Sequence, residues 1–564
     1  MTPFTDQTEE QTHPPRWEDI DWPAVEGAVR RIQERIYRAT EREDWQQVRS
    51  LQKLLVRATA TKLLAIRRVT QENQGKNTPG VDGVVCATPA ARMQLLQDGL
   101  NLTDYRPKPV RRVYIPKPDG RRRPLGIPTV ADRVRQAMVK AALEPEWEAR
   151  FEANSYGFRL GRCTMDAIEA LHTTMSRKGA SQWVLDADIS GCFDTIAHDV
   201  LLAKIPVFTT TIRRWLKAGV VELGHYTATD TGTPQGGVAS PLLANIALDG
   251  MERLFGSETA EGKPVLPSRR KGLNRGVSLI RYADDFVVVA PSREVLETYV
   301  LSTLTAFLAE RGLRLSEAKT RIVHVTAGFN FLGFQIRRYN NKLLTKPQKE
   351  KVLQHLHSTK AYLRANQQAP AGRIIRDLNP KIRGWCNYYR HCAAKQTFGY
   401  VQHRTWQMLW RWAKRRHPNK PSKWVHKRYF KDDGWWTFHA KNAELAKYPA
   451  TPVTRYVKVS GRSSPFDPTL RAYWKTRTKR LVGWQIVSKR LLALLRRQDY
   501  RCAKCGMALE PDDLDGSLHM HHKVQRDVGG ADDLDNLEVV HSWCHHQHHQ
   551  RCGYRSRCAK AQAV

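Results

Sequence analysis

An α+β chain of several domains is what this sequence predicts, and three observations predict it. Its 564 residues exceed what one hydrophobic core usually serves. Long stretches, near the start and again in the second half, place apolar residues three and four apart as amphipathic helices do, whereas short Val- and Ile-rich runs around Ile280–Val289 read as strands. Residues 491–564 concentrate Cys and His at the spacing of a small metal-held unit.

Composition narrows the partners. Lys and Arg total 92 against 55 Asp and Glu, a net charge of +37 with a pI near 10.0. Such an excess opposes compact self-association and favours a polyanion. No apolar run approaches the roughly 18 residues that a membrane-spanning helix needs, and Met1–Trp17 is polar with acids, unlike a secretory signal. Five of the ten cysteines precede residue 400 and five follow residue 500. That is no disulfide framework, so the expected setting is a reducing cytoplasm with metal in the tail.

In order, residues 1–75 open as a loop and continue as helix. Val25, Val29, Ile32 and Ile36, then Leu51, Leu54, Leu55 and Ala58, recur at helical spacing. Thr78–Gly83 reads as a turn. Residues 105–128 read as a hairpin turning at Pro118-Asp119-Gly120, with cations on both arms that suit a triphosphate because Arg binds phosphate bidentately. Helix returns over Val130–Arg150 and Thr164–Ser176, flanking the loop Asn154–Arg159. The strand Trp183–Ile189 then carries Asp186 and Asp188 on one face, two residues apart. Gly232–Pro241 is a Gly- and Pro-punctuated loop entering a helix. Residues 280–289 read as strand, tight turn, strand, with Asp284 and Asp285 at the turn. Two adjacent acids without an obvious local cation ask for a divalent metal held by hard oxygen ligands.

Here a resemblance can be named. The ordered series TPGVDG, RPLGIP, SYGFR, DADISGCFD, TPQGGVASPLLANI, YADD, GLRLSEAKT and FNFLGF, across residues 76–340, resembles the reverse transcriptases encoded by bacterial group II introns. The resemblance implies right-hand fingers and palm over 76–343. It also implies that Asp188, Asp284 and Asp285 hold two Mg²⁺ ions, which activate a primer 3′-hydroxyl and offset charge on pyrophosphate. Phe193 matches the aromatic that excludes a ribose 2′-hydroxyl, with ordinary core packing as the alternative. Lys117 and Arg123 match the triphosphate-holding cations, Gln235 the residue beside nucleotide and template, and Lys319 a cation that assists the leaving group or simply lies on the surface. Asp186 and Asp194 are read as structural.

Residues 344–430 read as a helical, basic thumb similar to the family's maturase (X) domain, on the motif Asn379–Arg390. From Val401 to Phe430 there are nine Lys and Arg and no acid, which phosphate would neutralise. Trp406 and Trp410, four apart on one helix face, read as core more than as an RNA platform. Residues 431–490 are basic and weakly periodic, and by position correspond to a DNA-binding region or linker.

The tail pairs Cys502 and Cys505 with His541 and Cys544, a closed Cys₃His set for structural Zn²⁺. With His521, His522, Asn536, His545 and His549 it resembles an HNH endonuclease of the ββα-metal form. The resemblance implies that His521, His545 and His549 hold a catalytic Mg²⁺ or Mn²⁺, that His522 is the general base and that Asn536 orients the hairpin. A His pair four apart shares one helix face, which suits a shared metal. A zinc-bound DNA module without nuclease activity is the plainer alternative.

The whole then reads as a multifunctional intron-encoded protein. It would bind its intron RNA, promote splicing, nick target double-stranded DNA and copy the intron from dNTPs. Its rivals are a stand-alone reverse transcriptase of defence or diversity-generating type and a splicing cofactor with a dead polymerase site.

Overall fold

The computed structural model describes residues 16–116, 120, 122–259, 262–432, 436–441, 443–484, 488–509 and 518–552. Lys117, one of the expected triphosphate cations, lies outside them, as do Pro118 and Asp119 of the expected hairpin turn and Cys558.

Three helices open the chain: Trp22–Glu41, Trp45–Arg57 and Thr59–Arg67. The first two are started by aspartates whose side chains accept from exposed backbone amides, Asp21 from Ala24 N at 3.2 Å and Asp44 from Gln47 N at 3.0 Å. Their apolar stripes, including Ile36, Leu51, Leu55 and Ile66, share one core with Val134 and Met138 of the long helix Val130–Arg150. The fingers hairpin pairs Val110–Pro116 with Arg122–Ile127 antiparallel, and a short pair, Val220–Glu222 and His225–Thr227, extends that sheet.

The palm is a four-stranded sheet in the order Ser278–Tyr282, Asp285–Ala290, Trp183–Asp188, Arg321–His324, antiparallel throughout. Both faces are covered. Val184, Ile280, Val287 and Val289 enter the core shared with the thumb, while Leu185, Leu279, Phe286 and Val288 enter a second core over the helix Ser240–Leu248. A doubly buried sheet needs apolar residues at every position, which is why the expected alternation along these strands is imperfect.

Four helices make the thumb: Lys349–Ala365, Ala371–Tyr389, Lys395–Arg416 and Ser422–Tyr429. Ile374, Leu378, Ile382, Leu409 and Trp412 continue the palm core without a break. Trp406 and Trp410 stack on each other with centroids 6.1 Å apart, half-buried at the margin of this core, and pack against the exposed Trp436.

Beyond the thumb the chain returns as an extended strap. The buried Asp166 carboxylate accepts from Val459 N at 2.7 Å and from Arg477 at 2.8 Å. Arg162 donates to Gly461 O at 2.9 Å, Arg462 donates to Ala149 O and Arg150 O, and Arg30 of the first helix donates to Pro465 O. Side chains satisfy the strap's backbone, so its sequence carries neither helical nor strand periodicity. Helix Arg471–Trp484 leads to the last lobe, a hairpin of Leu518–His522 and Leu537–His541 followed by helix Ser542–Arg551. This ββα unit packs on the chain's own beginning: Gln547 donates to Glu18 O at 2.7 Å, and the Arg67 guanidinium lies 5.4 Å from the Trp543 ring centre.

Candidate active sites

Register builds the first site. Asp188 ends its strand directly opposite Asp285, which begins the neighbouring one, and Asp284 sits on the connecting turn. The turn residue Ala283 has φ of 58°, a left-handed conformation that closes the two-residue hairpin. Gly157 lies against it so closely that a Cβ there would stand 2.3 Å from Ala283 N. Beneath the turn, Arg281 is fully buried. Its guanidinium donates to Asn245 Oδ1 at 3.0 Å, Ala283 O at 3.1 Å and Ser155 Oγ at 2.8 Å, and Asn245 donates on to Gly157 O at 2.8 Å. A planar fork in a fixed cage thus holds the acidic turn from below.

The acids are crowded. Desolvation, reinforced by Asp284 and Asp188, pushes the Asp285 carboxyl up to about 7, and desolvation also raises that of Asp284. A local cation is present after all: Lys319 ion-pairs with Asp188, brought in just before the edge strand Arg321–His324 that flanks the Asp188 strand. Arg123 also bears on Asp284, holding its carboxyl down against that rise. Asp186, two residues back on the same strand, is paired to Arg321 at 2.9 Å. The donor set is all carboxylate oxygen and carries more negative charge than Lys319 offsets, so it fits a divalent cation.

Around the acids, Phe193 is half-buried with Phe158 edge-on at 6.3 Å. The loop Gly232–Gly237 closes over it, Thr233 N donating to Phe193 O at 2.5 Å, and no Cβ fits at Gly232, where it would meet Asp194 C at 2.5 Å. On the same loop Gln235 O accepts from Gly126 N at 2.7 Å, which joins the loop to the fingers strand carrying the exposed Arg123.

In the last lobe the ligand atoms of Cys502, Cys505, His541 and Cys544 all lie within 4.8 Å of one another, as do those of His521, His545 and His549. The thiols of Cys502, Cys505 and Cys544 hydrogen-bond one another, which pulls the Cys502 thiol down and pushes that of Cys544 up. Burial holds His521 down to about 4 and His545 to about 3, so both are neutral imidazoles with lone pairs to give. His545 Nε2 and His549 Nε2 stand 3.0 Å apart. Both clusters therefore fit a metal ion. His522 stands outside the three-histidine cluster, its Nε2 2.6 Å from Asp532 Oδ1 and 3.2 Å from Arg526 Nε. Asn536 staples the hairpin loop, accepting from Val524 N at 2.7 Å and donating to Val524 O and Ala531 O.

Known proteins match these units in the same order. Residues 17–98 match the N-terminal domain of reverse transcriptase, 115–336 the reverse transcriptase (RNA-dependent DNA polymerase) domain, 352–430 the group II intron maturase-specific domain and 502–551 the HNH endonuclease domain. Protein YkfC of Escherichia coli is 35% identical over 322 residues, which span 52% of this chain and 84% of YkfC. The group II intron-encoded protein LtrA of Lactococcus lactis is 30% identical over 406 residues, spanning 56% of this chain and 66% of LtrA. This chain belongs to the group II intron-encoded reverse transcriptase and maturase family. It carries an HNH endonuclease domain as well.

In this reverse transcriptase the structure brings Asp188, Asp284, Asp285 and Lys319 together, with Arg123 bearing on Asp284, while the loop Gly232–Gly237 carries Gln235 and meets Phe193. The Arg281–Ser155–Asn245 cage escaped sequence reasoning, although an Arg between Ile280 and Tyr282 in an apolar strand was the available signal. The Asp532–Arg526 clamp on His522 carried none, because all three residues look like ordinary loop charges.

Proposed function

We propose that the protein binds its own intron RNA, promotes its splicing, nicks double-stranded target DNA with the HNH lobe and copies the intron by extending the exposed 3′-end with dNTPs. The observation that carries this reading is the convergence of Asp188, Asp284 and Asp285 at the mouth of the palm sheet, in one chain with maturase and nuclease domains.

Asp188, Asp284 and Asp285 would hold Mg²⁺, which when bound supplies activation of the primer hydroxyl and neutralisation of pyrophosphate charge. The Arg281 cage keeps the acidic turn in place before substrate arrives, so little reorganisation remains at the reacting centre. Arg123 and, by resemblance, Lys117 hold the incoming triphosphate. Phe193 walls the sugar, and the Gly126 hydrogen bond fixes the loop carrying Gln235 beside the template base. Lys319 moves its charge from Asp188 toward the leaving phosphates as the site fills.

In the nuclease lobe His521, His545 and His549 would hold Mg²⁺ or Mn²⁺, which supplies charge stabilisation at the scissile phosphate. His522, oriented by Asp532, takes a proton from the attacking water, and Asn536 keeps the hairpin mouth open at a fixed width. The Cys502, Cys505, His541, Cys544 set would hold Zn²⁺ and fasten the lobe. The stand-alone polymerase reading is disfavoured by the maturase and HNH matches.

Paired variants test the division of labour. Asp284→Asn abolishes cDNA synthesis and spares splicing of the intron. His522→Ala abolishes target nicking and spares extension of a supplied primer. Loss of splicing in the first with RNA binding unchanged, or retained nicking in the second, would refute the assignment concerned.

A further inference from the structure

A cavity of about 1250 Å³ lies outside the acidic cleft, where the first helix, the helix Val130–Arg150, the thumb, the strap and the start of the nuclease lobe meet. Its lining reaches from Val238, in the loop of Gln235, to Tyr500 and Arg501 beside the zinc knuckle.

Two buried guanidiniums in its wall have no carboxylate partner among the described residues. Arg390 is 5% exposed, its Nε is buried without a partner, and no side-chain hydrogen bond or ion pair holds it among those residues. Arg162 is 8% exposed and donates to the carbonyls of Ala153 and Gly461, with its Nε unsatisfied. Burial lowers the pKa of both, the sign of cations kept desolvated without full compensation. Lys475 adds an exposed ammonium at the same wall. The rings of Tyr388, Trp474 and Tyr500 line the same cavity, as do the carboxylates of Glu26, Glu144 and Asp499.

Spaced cations interleaved with aromatics are the grip of a single nucleic-acid strand: phosphates meet the cations and bases stack on the rings. A single phosphate ion would need the cations to converge, yet they come from separate elements around a long wall. We propose that this cavity is a single-strand site, reaching from the polymerase loop to the nuclease lobe and holding unpaired nucleic acid by its phosphates. The proposal rests on the reading that both domains act on one nucleic acid.

The test uses the full chain and three variants, Arg390→Gln, Lys475→Gln and, as a charge control, the exposed Arg293→Gln. Binding of a labelled oligo(dT) about 20 nucleotides long, enough to fill a site of single-strand-binding size, is followed by anisotropy across a salt series. Each cavity variant weakens binding and flattens the dependence of log K on log salt by about 0.7 for each phosphate that the protein no longer neutralises. Arg293→Gln leaves the slope as it was, and all three variants extend a pre-annealed DNA primer on an RNA template as the wild type does. Unchanged slopes in both cavity variants would overturn the proposal. So would weakened binding of inorganic pyrophosphate, by calorimetry, with the oligonucleotide slope intact, since the cavity would then hold a small anion. If Arg390→Gln does not fold, Lys475→Gln, at an exposed site, decides alone. Failure of primer extension in the wild type would count against the polymerase reading and leave the binding result intact.

Discussion

Arg281 shows how one side chain sets the chemistry of its neighbours. It touches no expected substrate, yet its fork holds the carbonyl of Ala283, one residue before the acidic pair. Lys in its place keeps the charge but has no planar fork to reach Ser155, Asn245 and the carbonyl together. Arg281→Lys is therefore expected to lower single-nucleotide incorporation about 100-fold through misplacement of the turn, with RNA affinity unchanged in a filter-binding assay. Cys502 acts at the same scale in the other lobe. Cys502→Ser is expected to release the structural metal, read as loss of one equivalent of zinc by elemental analysis, and to melt the ββα unit ahead of the polymerase in calorimetry. The three palm aspartates, the two metal sets and Asn536 were legible from sequence through motifs that resemble a known family, because the identities and spacings of such motifs survive unfolding. Arg281 was not, because its partners Ser155 and Asn245 lie 126 and 36 residues upstream and only the fold joins them.

Elements meet through glycines at two places that matter. Gly157 lets the loop before helix Thr164–Ser176 press against the acidic turn, and Gly232, at φ of 81°, lets the loop of Gln235 close on Phe193 and Asp194. A methyl group at Gly157 has backbone as its nearest obstacle, so relief requires moving the turn. Gly157→Ala is expected to cost about 1–3 kcal/mol in urea denaturation and to lose primer extension, while nicking by the nuclease lobe persists. The four-residue spacing of the thumb's tryptophan pair put both on one helix face, and the fold leaves that face half-buried at the margin of the core. The strap was not readable, since Asp166 and Arg162 hold its backbone from elsewhere in the chain and its own Arg462 reaches out to the carbonyls of Ala149 and Arg150.

At the scale of the molecule the chain closes on itself. The nuclease lobe rests on residues 18–20 and on Arg67, and the strap ties the first helix, the palm and the thumb into the same body. Gln547→Ala combined with Arg551→Ala removes the hydrogen bonds to the Glu18 carbonyl without touching either metal cluster. The double variant is expected to enlarge the radius of gyration in small-angle scattering and to uncouple nicking from primer extension on one DNA target, each step keeping its rate on separate substrates. By itself the sequence determined the basic character, the mixture of helix and strand and the positions of the acids, thiols and imidazoles of the candidate sites, because residue type and local spacing encode those directly. The order of the units was read from its resemblance to a known family. Only the tertiary structure decided which cation stands beside Asp188, what holds the acidic turn, where the strap runs and that the last lobe packs on the first helices. Each of those joins residues far apart in sequence, and its geometry exists only once the sheet and its two cores have formed.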